Sequence, residues 1–182
     1  ATNKGEVTST AGDKLLLTSG SGEGLAAYAE NGGVINLEKS KITVTDSSAG
    51  AASFGTNGTQ KSLVNLKEAT LTYKGNGYAV YSDGIGQVNL EKTTINLLGS
   101  STAFDVDLGA TTLPTILDTN TRINVKSDDV VVFNLKRATN LTTVGGIETS
   151  IKSKIETKLG LGANSLNNLF TGSTATKYKV AA

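Results

Sequence analysis

A phrase that recurs five times along the chain restricts the fold more than any single motif does. It starts at Gly24, Gly50, Gly77, Thr102 and Asp129, 25 to 27 residues apart, and is clearest as Gly77-Tyr78-Ala79-Val80-Tyr81. A second phrase starts at Ile35, Val64, Val88 and Ile116, as in Ile35-Asn36-Leu37, Val64-Asn65-Leu66 and Val88-Asn89-Leu90. Seven residues after each of these starts another apolar residue opens a short alternating run: Ile42-Thr43-Val44, Leu71-Thr72-Tyr73, Ile95-Asn96-Leu97 and Ile123-Asn124-Val125. Each period of about 24 to 29 residues thus holds three segments of period two, separated by Gly, Asn, Ser and Lys turns. A helical repeat of this length would need a 3.6-residue period over ten or more residues, and none occurs before Gly146.

The expected fold is all-β. Residues 1–146 form a right-handed parallel β-helix of about five coils with three short strands per coil. Each strand pairs with its equivalent one coil on, about 4.8 Å away, giving a rod some 25 Å tall. Inward side chains stack in ladders. Strict alternation puts Tyr28, Phe54, Tyr81, Val106 and Phe133 in one, with Ala26, Ala52, Ala79, Phe104 and Val131 on the same face. Leu37, Leu66 and Leu90 form another, while Asn36, Asn65 and Asn89 form an outward column whose side chains hydrogen-bond along it. Tyr78, replaced by Leu25, Ala51, Ala103 and Val130 in the other copies, points outward. Asp118 falls where the next leucine of the second ladder belongs, which marks an interruption or a slipped register. Pro114, the only proline, stands just before a strand, where its missing N–H is tolerated.

After Gly146 the period changes. Ile147, Ile151, Ile155 and Leu159 recur every four residues with Glu and Lys between them, predicting an amphipathic helix of about three turns that Gly160 and Gly162 terminate. Residues 147–182 therefore read as a C-terminal amphipathic helix and mixed cap or linker, with a further strand near Thr176 to Val180. A cap is needed because an open solenoid end exposes strand edges.

Composition narrows the function. Seventeen Lys and Arg against sixteen Asp and Glu leave a charge of +1, and Arg122 and Arg137 are the only arginines, so no nucleic-acid partner is expected. Without Cys or His the chain lacks thiolate ligands, cysteine nucleophiles and the commonest general base. No signal peptide is visible, and no apolar run approaches the roughly 18 to 20 residues that span a bilayer, so the chain reads as soluble, without membrane insertion of its own. The absent Met suggests a processed protein or an excised fragment.

Gly77-Tyr78-Ala79-Val80-Tyr81-Ser82 and Gly33-Val34-Ile35-Asn36-Leu37 resemble the repeats of passenger domains of Gram-negative type V autotransporters. The likeness covers roughly residues 5 to 145 and is closest to the large adhesins and vacuolating-toxin-like proteins, those of fusobacteria included. It implies a β-helical passenger segment displayed on the outer membrane or secreted, and followed in the full-length protein by an outer-membrane β-barrel. It also implies an adhesin or its rigid stalk, whose partners are host cell-surface proteins or glycans, or other bacteria, without catalysis. Two alternatives stay open: a β-helical polysaccharide-degrading enzyme and a pore-forming toxin subunit of the vacuolating type.

Local motifs add little chemistry. The Gly-rich stretches 20–24 and 84–86 lead into strands, as turns do, and not into the helix N-terminus that a phosphate loop requires. Asp105, Asp107 and Asp118, with Arg122 and Lys126, are the one constellation that an acid–base or calcium site would use. Asp105 alternates with apolar neighbours and points outward, Asp107 follows in a turn, and Asp118 belongs to another side of the coil, so these read as solvated surface. Ser and Thr are numerous but have neither a histidine base nor a strained G-x-S-x-G elbow. No catalytic, cofactor-binding or metal-ligating residue is assigned, no cofactor is expected, and no ligand-contacting residue is singled out.

Overall fold

A computed structural model of the chain describes residues 1–9, 16–19, 25–45, 49–107, 115–127, 130–136, 155–163, 170–172 and 178–180. Short apolar–polar alternations bounded by turns become strands that pair in parallel with their equivalents in the next coil. Five sets of three follow one another: β1 (Glu6–Ser9), β2 (Leu16–Ser19) and β3 (Leu25–Glu30); β4 (Val34–Glu38), β5 (Lys41–Thr45) and β6 (Ala49–Phe54); and, after a small antiparallel hairpin of β7 (Thr56–Asn57) and β8 (Gln60–Lys61), β9 (Leu63–Lys67), β10 (Thr70–Lys74) and β11 (Tyr78–Ser82). Then come β12 (Gln87–Glu91), β13 (Thr94–Leu97) and β14 (Thr102–Asp107), and β15 (Thr115–Leu117), β16 (Arg122–Val125) and β17 (Val131–Lys136). The fold is a parallel β-solenoid with three sheets. Sheet A runs β1-β4-β9-β12-β15, sheet B contains β2, β5, β10, β13 and β16, and sheet C contains β3, β6, β11, β14 and β17.

The inward ladders of sheets A and B follow the repeat. Ile35, Val64 and Val88 stack in register, as do Ile42, Leu71, Ile95 and Ile123, and all are buried. Burying each such side chain stabilises the fold by roughly 1.5–3 kcal/mol, and stacking coils is the only way a strand this short can do so. Val7 occupies the same rung as Ile35 one coil earlier, yet is 51% exposed because the described residues place no coil beneath it. In the second ladder Leu117, and not Asp118, continues Leu37, Leu66 and Leu90. The register of β15 is one residue off the sequence spacing, so Ile116 and not Leu117 stands opposite Asn89.

Between sheets A and B the second, third and fourth coils each turn through one residue at positive φ: Lys39 (55°), Glu68 (50°) and Lys92 (46°). The first two donate their N–H to the carbonyls of Lys67 and Glu91 in the following coil, at 2.8 Å each. The third donates to the Asp118 carboxylate at 3.0 Å. Asp118 Oδ1 also accepts from the Thr121 N–H (2.8 Å) and hydroxyl (2.7 Å). A carboxylate here replaces the backbone acceptor of the next corner, which explains the departure from the repeat at Asp118.

Sheet C requires a correction. Strict alternation put Tyr28, Phe54 and Tyr81 in the core, but all three are half-exposed on the outer face. In β11 the consecutive Ala79 and Val80 are both buried between half-exposed Tyr78 and Tyr81. In β14 Ala103 and Phe104 do the same between Thr102 and Asp105, and in β17 Val132 and Phe133 follow half-exposed Val131, which therefore also lies outside the expected inward face. Two adjacent inward residues break period two and shift the faces on either side. The inward ladder is Ala27, Ala51, Val80, Phe104 and Phe133, with the last two rings stacked at 5.9 Å. Val106 and Phe133 face the core as expected.

At the C-terminal end one helical turn (155–158) buries Ile155 and Leu159 against the core, and the Leu159 carbonyl accepts the Leu117 N–H at 2.9 Å. β18 (Phe170–Gly172) then joins sheet B on β16, and β19 (Tyr178–Val180) joins sheet C on β17. The cap is thus mixed, a helical turn over sheet A and strands over sheets B and C. The remainder of the expected helix, Ile147 to residue 154, lies outside the described residues, as do Pro114, Asp129 and the Gly20–Gly24 turn.

Candidate binding surface

Parallel stacking places equivalent outward residues in columns spaced by the coil rise, so each outer sheet face is a regular array. Three arrays differ in chemistry. On sheet A, Asn65 Nδ2 donates to Asn36 Oδ1 and Asn89 Nδ2 to Asn65 Oδ1, both at 2.7 Å, and Asn36 donates onward to Glu6 at 2.9 Å. This is the amide column expected from the sequence. It floors a shallow groove of about 310 Å³ edged by Glu38, Lys67 and Glu91. On sheet B a shorter column runs from Asn124 to Asn96 (2.8 Å) and on to Thr72 (3.3 Å). Both columns spend their side-chain hydrogen bonds largely on one another, as structural stacks do.

Sheet C is different. Tyr28, Phe54 and Tyr81 come from three successive coils, with ring centroids 5.6 and 5.4 Å apart, and Tyr78 lies 5.5 Å from Tyr81 with 29° between the ring planes. Small residues make room beneath them: Ala52, paired with both Tyr28 and Tyr81, is fully buried. The Tyr28 hydroxyl donates to Glu30 at 2.7 Å, and this bond, ahead of partial desolvation, raises the tyrosine's pKa.

Beyond the rings lies a polar cluster. Asn134 Nδ2 donates to Asp105 Oδ1 at 2.8 Å and to the Tyr78 hydroxyl at 2.9 Å, and Lys136 Nζ lies 2.6 Å from Asp105 Oδ2. The Asp105 side chain is 9% exposed and that of Lys136 42%, so the pair sits at the surface with its acid end covered. The hydrogen bond that Lys136 donates to Asp105 raises the Lys136 pKa, against the lowering effect of burial. Burial first, and then the Asp105 charge, raise that of Tyr78. Because Asn134 is two coils beyond Tyr78, the Tyr78 ring must lean along the solenoid axis over the sheet.

Next to Phe54 and Tyr81 the Asp83 carboxylate accepts from Ile85 N–H (2.9 Å), Gly86 N–H (2.8 Å) and Gly55 N–H (2.9 Å), tying two coils together at the edge of the strip. A Cβ on Gly86 would lie 2.6 Å from Ser53 Oγ and 2.8 Å from the Phe54 nitrogen, so only glycine lets this loop close against the strand.

The acidic trio of the sequence is not assembled as one unit. Asp105 is outward on sheet C as expected, Asp107 ends β14 in register with Lys136, and Asp118 sits at the corner between sheets A and B. Arg122 donates to the carbonyls of Thr119 (2.6 Å) and Thr121 (2.9 Å) in the same turn as Asp118, and Lys126 is exposed. Among the described residues no three His, Cys, Asp or Glu side chains are grouped as metal ligands. Asn134 and Lys136 escaped the sequence reading, although each follows its partner on β14 by 29 residues, the interval that also relates Ile42 to Leu71.

Fold and surface together define a parallel β-solenoid carrying one aromatic and polar outer strip. No family model, curated protein or solved structure matches the chain.

Proposed function

We propose that the chain is a non-catalytic binding segment of a surface-displayed or secreted passenger of the autotransporter type, and that it engages its target through the outer face of sheet C. The observation that carries this reading is the row of half-exposed Tyr28, Phe54 and Tyr81, held at fixed spacing by three successive coils. Half-exposed aromatic side chains in a contiguous row supply large contact area at little entropic cost, and aromatic residues dominate recognition surfaces for that reason. The solenoid supplies rigidity, since every coil is hydrogen-bonded to its neighbours along three sheets. The likeness of the repeats to passenger domains supports display at a Gram-negative cell surface, with host cells or other bacteria as targets.

The test is adhesion. Beads coated with the chain should attach to epithelial cells or to bacteria, and the double substitution Phe54→Ser with Tyr81→Ser should abolish attachment while Asn65→Ser on sheet A leaves it intact. Attachment that survives the sheet C change, or no attachment to any surface, would refute the proposal and favour a segment that only spaces a distal tip.

A further inference from the structure

We infer that the sheet C strip is a saccharide-binding site for an uncharged oligosaccharide lying along the solenoid axis; this rests on the binding role proposed above. The rings provide the first half of the case. They form a row across three successive coils, a shape that fits an extended ligand. A sugar ring can meet such a row directly, because its C–H face lies flat on an aromatic ring. The Tyr78 ring leans over the sheet and has Tyr81 stacked beside it, which leaves an aromatic surface that runs along the axis.

The second half is the polar chemistry at both ends of the row. A saccharide hydroxyl both donates and accepts, so it asks for donors and acceptors side by side. One end offers the Tyr28–Glu30 pair and, on the neighbouring loop, Asp83; the other offers Tyr78, Asp105, Asn134 and Lys136. These groups are fixed by one another and by the strands, which lowers the ordering penalty of binding. Charge sets the ligand class. Lys136 neutralises Asp105, whereas Glu30 and Asp83 have no cationic partner among the described ion pairs, so their carboxylates repel uronates, sulfated glycans and phosphates. A neutral glycan meets no such repulsion.

The experiment is an NMR titration of the whole chain with neutral gluco-, galacto- and N-acetylglucosamine-containing oligosaccharides, alongside hyaluronate and heparin fragments of equal length. The expected result is that a neutral oligosaccharide shifts the Tyr28, Tyr78 and Tyr81 ring signals and that the charged fragments do not. Tyr81→Leu, which keeps apolar cover but no ring, should weaken binding at least tenfold, and Asn65→Ala should not change it. Tyr28→Leu provides a second ring deletion should Tyr81→Leu lose its native circular dichroism. Absence of binding by every neutral oligosaccharide, preference for the charged fragments, or full affinity in both leucine variants would overturn the assignment. Adhesion to enzymatically deglycosylated cells separates the two claims: attachment retained there, without oligosaccharide binding, removes the saccharide and keeps the binding role, whereas loss of all attachment removes both.

Discussion

Replacing Phe104 and Tyr81 separately by alanine compares the two faces of sheet C under the same chemistry, removal of one aromatic ring. Phe104 is 1% exposed and stacks on Phe133 at 5.9 Å, with Val80 in register beneath it. Its removal leaves a ring-sized void in a ladder that cannot collapse without moving neighbouring coils, so a loss of about 3–5 kcal/mol is expected. Tyr81 is half-exposed and touches two rings, Phe54 at 5.4 Å and Tyr78 at 5.5 Å. Each such pair contributes about 0.5–1.5 kcal/mol beyond area burial, and water fills the vacated space, so a loss of about 1–2 kcal/mol is expected. Urea unfolding followed by circular dichroism measures both, compared at unchanged m-value because solenoid coils can unfold separately. Equal losses, or a larger one for Tyr81→Ala, would refute the placement of the faces.

Three further outcomes follow from named contacts. Asn65→Ala removes two column hydrogen bonds and Asn89→Ala one, so at about 1 kcal/mol per bond the first should destabilise about twice as much as the second in the same urea assay. Asp118→Ala leaves the Lys92 N–H without its carboxylate acceptor and the two Thr121 donors with only their longer bonds, to the backbone carbonyls of residue 118 (3.3 Å) and Leu90 (3.4 Å), and should lose about 1–3 kcal/mol, seen as a lower thermal midpoint; Asp118→Asn, which retains one oxygen, should recover part of it. In alkaline solution Tyr28, Tyr73 and Tyr78 should ionise above the ordinary value of 10.0, read by absorbance at 295 nm. Their raised values, with that of Lys136 above 10.5, mean that the folded chain holds protons longer than the unfolded one. The associated stability is complete below the unfolded values and is lost as pH rises through the folded ones, so urea midpoints should fall above about pH 10.

The parallel solenoid was legible because its repeat carries the two simplest signals, period-two alternation and a returning interval. On sheets A and B Ile35, Leu37 and Ile42 behave as alternation requires, as do their equivalents in the next two coils, Val64, Leu66 and Leu71, then Val88, Leu90 and Ile95. The amide column was legible for the same reason, since Asn36, Asn65 and Asn89 are flanked on both sides by core residues. Sheet C was not, because Ala79 with Val80, Ala103 with Phe104 and Val132 with Phe133 each put two neighbours into the core. Hydrophobicity cannot reveal this, since a tyrosine suits a half-exposed outer ladder as well as a buried one. The hidden clue lay in the spacing: sheet C registers at intervals of 24 and 29 residues, as at Ala27, Ala51, Val80, Phe104 and Phe133, and not at the near-constant 25 to 27 of the phrase. The Asp105–Asn134–Lys136 cluster depends on that register and vanished with it.

Tyrosine modification by tetranitromethane, mapped by mass spectrometry with and without an adherent cell surface, tests the central claim most directly. On the chain alone, half-exposed Tyr28 and Tyr81 should be nitrated and Tyr73, fully buried with its hydroxyl accepting the Gly77 N–H at 3.0 Å, should be spared. In contact with the target surface, Tyr28 and Tyr81 should be protected together. Nitration of both that is unchanged by a target the chain demonstrably holds would contradict the account, because binding would then lie on another face.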